Sequence, residues 1–268
     1  MKLPLLDGNK NKTGEQELPI QFNEEFRPDL IARAVHALQS AARQAYGADQ
    51  EAGLRHSSKL SKERKNYRGC YGFGISRVNR KIMSRRGTRL NWVGAFSPQT
   101  RGGHQAHPPK AWKLWEQKIN NKENQKAIRS ALAATVNKEL VEKRGHKIPS
   151  EYPFIIDSSI EKCTKTQDLT QQLIGLGFEK ELERANVRKV RAGVGKTRGR
   201  RYRQKKSLLI VVGSVSPLVK AAQNLPGIDV ITVKALNAEL LAPGALAGRA
   251  TLWTKNAIET LAKNHMFQ

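Results

Sequence analysis

Apolar positions recur along this chain in two periods, and together they predict a body of alternating strands and helices. From Pro28, the residues Leu30, Ile31, Ala34, Val35, Leu38, Ala41 and Ala42 form one stripe at helical spacing, with Pro28 suited to the first turn and Gly47 to a stop. A second stripe, Ala127, Ile128, Ala131, Leu132, Thr135, Val136 and Leu140, predicts a helix that begins after Pro108-Pro109 and ends near Gly145. Short continuous apolar runs at 154–157, 208–212 and 229–233 read as buried strands. Helices are expected over 166–176, after Ser216-Pro217 as N-cap and first turn, briefly at 237–241, and over 256–263. Residues 2–6 and 17–22 are strand candidates, and 251–254 reads as an edge strand or extended segment. Continuous apolar strands separated by helices predict a three-layer α/β/α domain around a small, mostly parallel sheet.

Residues 53–110 break this pattern. They contain eight glycines, show no sustained period, and run far longer than an ordinary connection. Their apolar residues are scattered singly, so the segment is expected to bury no core and to stay unfolded until a partner orders it. The organisation expected is a globular α/β domain in two parts, 1–52 and 111–268, around a long irregular basic extension at 53–110.

Charge sharpens that division. The chain of 268 residues carries +25, and 53–110 holds fourteen Lys or Arg against the single acid Glu63. Residues 187–206 hold ten more and no acid, so these two stretches account for +23 and the remaining 190 residues for only +2. Solvated surfaces mix signs, whereas an isolated stretch at +13 repels itself; the balance predicts a nucleic-acid partner. Two cysteines far apart, Cys70 and Cys163, suggest neither a zinc site nor a disulfide framework. No run is apolar and long enough to span a bilayer or to serve as a signal core, and a cytoplasmic protein is expected.

The arginines of Arg85-Arg86-Gly87-Thr88-Arg89 and Arg198-Gly199-Arg200-Arg201-Tyr202-Arg203 carry the candidate chemistry. Guanidinium presents a planar fork to phosphate oxygens, and interleaved glycines let the backbone approach a curved polyanion. Tyr67, Tyr71, Phe73, Trp92 and Phe96 either stack on unpaired bases or pack on each other or on a neighbouring protein. Other motifs fall short. Gly195-Lys196-Thr197 has Val190 where a P-loop needs its first glycine, and its strand follows rather than precedes it. Tyr71-Gly72-Phe73-Gly74 has Arg77 in place of a third glycine, and His104 with His107 lacks an acid or thiol to complete a metal site. Glu179, Glu181 and Glu183 read as a solvated face paired with nearby Lys and Arg. No nucleophile, base and orienting group assemble, so no enzyme, cofactor or small-molecule substrate is expected.

The blocks VRAGVGKTRGRRYRQKKSLLIVV, TRGGHQAHPPK, PFIIDSSIE and IDVITVKALNAELLAPGALAGRATLWTKNAI closely resemble the ribosomal protein four family of the large subunit, in its archaeal and eukaryotic branch. The resemblance covers essentially the whole chain, and the order of blocks along it agrees. It implies a globular α/β domain on the ribosome surface, an extension that penetrates large-subunit rRNA and helps line the nascent-peptide exit tunnel, and neighbouring ribosomal proteins as further partners. The extension would include YGFGISRVNRKIMSRRGTRLNWVGAF, with its tip between Arg77 and Arg89, although Asn79-Arg80-Lys81 departs from a proline-containing form. On this basis the rRNA contacts expected are Arg64, Lys65, Arg68, Arg77, Arg80, Lys81, Arg85, Arg86, Arg89, Arg101, His104 and Lys110 in the extension. Arg188, Lys189, Arg191, Lys196, Arg198, Arg200, Arg201, Arg203, Lys205 and Lys206 are expected in the second loop. A general RNA-binding chaperone is the alternative that composition alone leaves open.

Overall fold

The computed structural model describes residues 1–267 and divides into two compact units: Met1–Ala42 with the chain from Glu116 onward, and Arg43–Trp115. In chain order the elements are β1 (Lys2–Leu6), β2 (Lys12–Glu17), α1 (Pro28–Ala41), β3 (Arg80–Arg86), β4 (Arg89–Gly94), α2 (Asn121–Val136), α3 (Lys138–Lys143), β5 (Ile155–Ile156), α4 (Thr166–Gly175), α5 (Glu179–Asn186), β6 (Lys189–Val190), β7 (Tyr202–Arg203), β8 (Leu209–Val212), α6 (Leu218–Ala222), β9 (Asp229–Thr232), α7 (Ala238–Leu241), β10 (Thr251–Thr254) and α8 (Lys255–Lys263). Six strands form one sheet in the order β2-β1-β5-β10-β8-β9; β2 runs antiparallel to β1 and every other neighbouring pair is parallel.

Side chains alternate across a strand, so this sheet supplies two cores. Ile155, Leu209, Val211 and Trp253 pack with Ile31 and Val35 of α1, Ala131 and Leu132 of α2, Leu241 of α7 and Ile258 of α8. Their sequence neighbours Ile156, Leu208, Ile210, Val212 and Leu252 pack on the opposite face with Leu169 and Leu173 of α4 and Leu218 of α6. Each Val, Leu or Ile among them contributes about 1.5–3 kcal/mol on burial. The result is the three-layer α/β/α arrangement that the apolar runs predict.

Several boundaries differ from expectation, each for a local reason. The N-terminal hairpin uses Lys12–Glu17, not 17–22, because Leu5 pairs with Gly14 and Lys2 with Glu17; a polar edge strand leaves no apolar trace, and Ile20–Asn23 turns as a 3-10 helix. The helix expected to run to Gly145 is broken at Asn137, whose extended backbone and Oδ1, accepting from Leu140 N–H at 3.3 Å, start α3. Helix α1 ends at Ala41, short of Gly47. Ser216 does not cap α6: Pro217 takes that position and the Ser216 hydroxyl is buried without a partner. The largest correction is β10, expected at an edge, which lies between β5 and β8 with all four residues buried.

Candidate nucleic-acid interface

The extension is not structureless. Residues 80–94 form a β-hairpin in which Arg80 pairs with Gly94, Ile82 with Trp92 and Arg86 with Arg89, with Met83 as an extra residue that bulges β3. Gly87 takes the first turn position with φ +58°, a conformation that primed hairpin turns require and glycine adopts without a Cβ penalty. Along β4, Leu90 and Trp92 are half-buried while Arg89, Asn91 and Val93 are exposed. That alternation beside a glycine is the signal that would have found the hairpin from sequence; the density of arginines masks it.

The guanidiniums divide into braces and free groups. Arg80 is a brace: it donates to Cys70 Sγ at 3.2 Å, to the Val78 carbonyl at 3.3 Å and to Ser76 Oγ at 3.3 Å, and lies 5.4 Å from the Trp92 ring centre. Arg64, Lys65, Arg77, Arg85, Arg86, Arg89, Arg101 and Lys110 are exposed, whereas Arg68, Lys81 and His104 are half-buried. Arg77 sits 4.8 Å over the Tyr71 ring, and Arg68 and Arg85 sit 5.7 and 5.6 Å over Tyr67, so these aromatics already stack on cations of their own unit. Phe96 packs at 5.1 Å against His104, whose Nδ1 hydrogen-bonds the Phe96 carbonyl. Phe73 differs from the other four: it is 73% exposed.

The second basic loop also contains a hairpin. Lys189 pairs with Arg203 and Val190 with Tyr202, joining β6 to β7, and the loop between is drawn in by Arg191, which donates to the Arg200 carbonyl at 3.1 Å and the Tyr202 carbonyl at 3.4 Å. Gly195-Lys196-Thr197 falls in a 3-10 turn followed by a strand rather than a helix, and Thr197 Oγ1 donates to Val194 O at 2.8 Å. A phosphate cradle needs the N-terminus of a following helix, which is absent here, so the turn serves to present Lys196 outward. Arg188, Lys189, Arg198, Arg200, Arg201, Arg203 and Lys205 are likewise exposed; Lys206 is exposed but tied to Asp229 at 2.9 Å.

Two buried ion clusters fix where this hairpin leaves the body. Glu181, expected on a solvated face, is fully buried: it accepts from Arg184 at 2.6 and 2.8 Å, His146 Nδ1 at 2.7 Å, Lys147 N–H at 2.8 Å and Ser207 Oγ at 3.0 Å. Burial alone would raise its pKa, but the hydrogen bonds from Arg184, His146 and Lys147 outweigh it and hold the carboxyl at about 2. Burial pushes His146 the other way from a histidine's usual value, downward, aided by Arg184 and Arg144 and opposed by Glu181. Arg184 also donates to the Lys206 carbonyl at 2.9 Å, which joins the cluster to the end of the hairpin. In the second cluster Arg249, fully buried, donates to the carbonyls of Ser207, Leu208, Gly227 and Leu240 and to Asp229 at 2.6 Å. Gly227, at φ +73°, lets the backbone at the end of the hairpin pass close by: a Cβ there would lie 2.3 Å from the Lys205 carbonyl, and Ser207 N–H donates to the Gly227 carbonyl at 2.8 Å. Sequence reasoning missed both clusters because their members lie tens of residues apart.

Charge pairing separates these anchors from the hairpins. Among the described residues, no basic side chain from Lys59 to Lys110 makes an ion pair, and from 187 to 206 only Lys206 does. Exposed guanidiniums without a carboxylate partner have the chemistry to bind phosphate oxygens. Among the described residues no group of three or more His, Cys, Asp or Glu is placed to hold a metal, and no helix is long and apolar enough to cross a membrane.

Fold and surface together define a basic α/β protein built to present cationic hairpins. Residues 16–264 match the ribosomal protein L4/L1 family, and the chain belongs to that family, whose members are structural and non-enzymatic. It is 48% identical over 268 residues to the large ribosomal subunit protein uL4 of Nanoarchaeum equitans, covering 100% of both chains. The uL4 protein of Archaeoglobus fulgidus is 46% identical over 264 residues, covering 98% of this chain and 99% of its own. That of Methanothrix thermoacetophila is 44% identical over 262 residues, covering 97% and 98%.

Proposed function

We propose that this protein is a structural constituent of the large ribosomal subunit, where it binds large-subunit rRNA through the extension and the 187–206 hairpin. The observation that carries this reading is that, of the twenty-four basic side chains in the two segments, only Arg55 and Lys206 make an ion pair among the described residues. On this reading rRNA neutralises the hairpins and releases counterions as the subunit assembles. The arm around the β3–β4 hairpin reaches into the RNA and helps line the nascent-peptide exit tunnel, while the α/β body contacts neighbouring ribosomal proteins and stays in the cytoplasm. Of the apolar residues in 53–110 only Cys70 and Ala95 are buried, and on this reading RNA completes the order of the extension.

Equilibrium binding of the intact chain, and of a version lacking residues 62–101, to large-subunit rRNA and to an unrelated RNA of equal length tests this across a salt series. Preference for the rRNA is expected, with a log–log salt slope that becomes shallower in the deletion by roughly 0.7–0.9 for each phosphate the missing arm would neutralise. Equal binding of both RNAs at every salt concentration would replace this reading with that of a general RNA-binding chaperone.

A further inference from the structure

The extension holds an open pocket of about 640 Å³ whose lining includes Tyr67, Arg68, Phe73, Arg89, Leu90 and Trp92. We propose that it is a pocket for a single unpaired nucleotide of the bound RNA, the base lying among the aromatic rings and the phosphate meeting the guanidiniums. The proposal rests on the RNA-binding reading above and specifies what one part of that surface holds.

Four observations point the same way. The volume falls in the range of roughly 300–1,000 Å³ typical of small-molecule sites. The lining joins three aromatic residues and two arginines and includes no carboxylate, a composition that suits a flat ring with an anionic tail. Phe73 is 73% exposed, so its ring is open to a stacking partner. Arg68 Nε is shielded from solvent and has no hydrogen-bond partner, and Arg68 sits at φ +65°, in the left-handed region that non-glycine residues rarely occupy. A buried donor left unpaired is destabilising, and an acceptor on the nucleotide would satisfy it. The fold thus gathers three of the five aromatic stacking candidates around one space. A polypeptide occupant would use the rings but bring no phosphate for Arg68 and Arg89, which is why the nucleotide is favoured.

The test uses the full chain and two single-stranded RNA pentamers, identical except that the central residue is 2-aminopurine in one and abasic in the other. The wild type should bind the base-containing pentamer about 10-fold tighter, within the roughly 5- to 150-fold that one base–aromatic stack produces, and should quench its fluorescence. Phe73→Ala should abolish the preference and leave affinity for the abasic pentamer unchanged; because Phe73 is exposed, the fold does not depend on it. Arg68→Gln should weaken binding of both pentamers, and Trp112→Ala, an exposed tryptophan outside the lining, should change neither. Equal affinity for the two pentamers, or a preference that survives Phe73→Ala, would overturn the pocket. So would displacement of the quenched pentamer by the uncharged peptide acetyl-Phe-Ala-Phe-amide at concentrations where a free nucleoside monophosphate does nothing. If rRNA preference and salt slope are intact while the base preference is missing, only the pocket fails. A base preference without rRNA preference would leave the pocket standing and remove the large-subunit role.

Discussion

Arg249 and Arg198 are the same residue type in opposite physical situations. Arg249 has no exposed surface and spends its donors on four carbonyls and Asp229, whereas Arg198 is exposed and its side chain has no protein partner among the described residues. In the body, a guanidinium is a structural cross-link whose removal strands several buried acceptors. At Arg198 it is an unneutralised charge with no side-chain contact that holds the fold. On the proposed reading, stability and RNA affinity are carried by different arginines.

The sharpest way to break that division is at the buried end. Arg249→Met should cost about 3–5 kcal/mol in urea unfolding, because Asp229 and the carbonyls of Ser207, Leu208 and Gly227 lose a shared donor. Glu181 should follow closely. With its folded pKa at about 2 against an ordinary value of 4.5, its ionised form contributes on the order of 3 kcal/mol above pH 4.5, and that contribution is lost as pH falls toward 2. His146 has the same sign: its pKa is lowered by folding, so stability is present above 6.5 and begins to decline as pH drops below it. Thermal unfolding from pH 7 to pH 3 should show both declines, and Glu181→Gln should be less stable at pH 7 and flatter below pH 4.5.

At the exposed end the pattern should invert. Replacing Arg198, Arg200, Arg201 and Arg203 together by Gln should move unfolding free energy by no more than about 0.5 kcal/mol per site, while making the log–log salt dependence of rRNA binding shallower by roughly 3. Arg191 is the intermediate case, since its guanidinium bonds the Arg200 and Tyr202 carbonyls. Arg191→Lys keeps the charge but loses the fork; the salt slope should hold, and amide exchange at residue 191, bonded to the Arg201 carbonyl at 2.8 Å, should quicken about 2- to 10-fold.

Much of the fold is legible in the sequence because it is written locally. The run Leu208-Leu209-Ile210-Val211-Val212 is apolar at every position, and only a strand covered on both faces needs that. The stripe from Leu30 to Leu38 fits one helix face, and it is the face that α1 buries. What escaped is nonlocal. Thr251-Leu252-Trp253-Thr254 looks like an edge because it is short and half polar, yet pairing with β5 and β8 makes it central. Glu181 looks solvated beside Glu179 and Glu183, but His146, 35 residues earlier, and Ser207, 26 later, converge on it.

By itself, then, the sequence determined the α/β class, the helical and strand periods of the body, and the two reservoirs of positive charge, because composition and periodicity are properties of neighbouring residues. The tertiary structure decided which strand is central, which carboxylate is buried, which arginines are braces and which are free, and which aromatics share one pocket. Those choices depend on who meets whom across the chain, and burial converts the same side chain from a solvated charge into a cross-link only when its partners arrive from elsewhere.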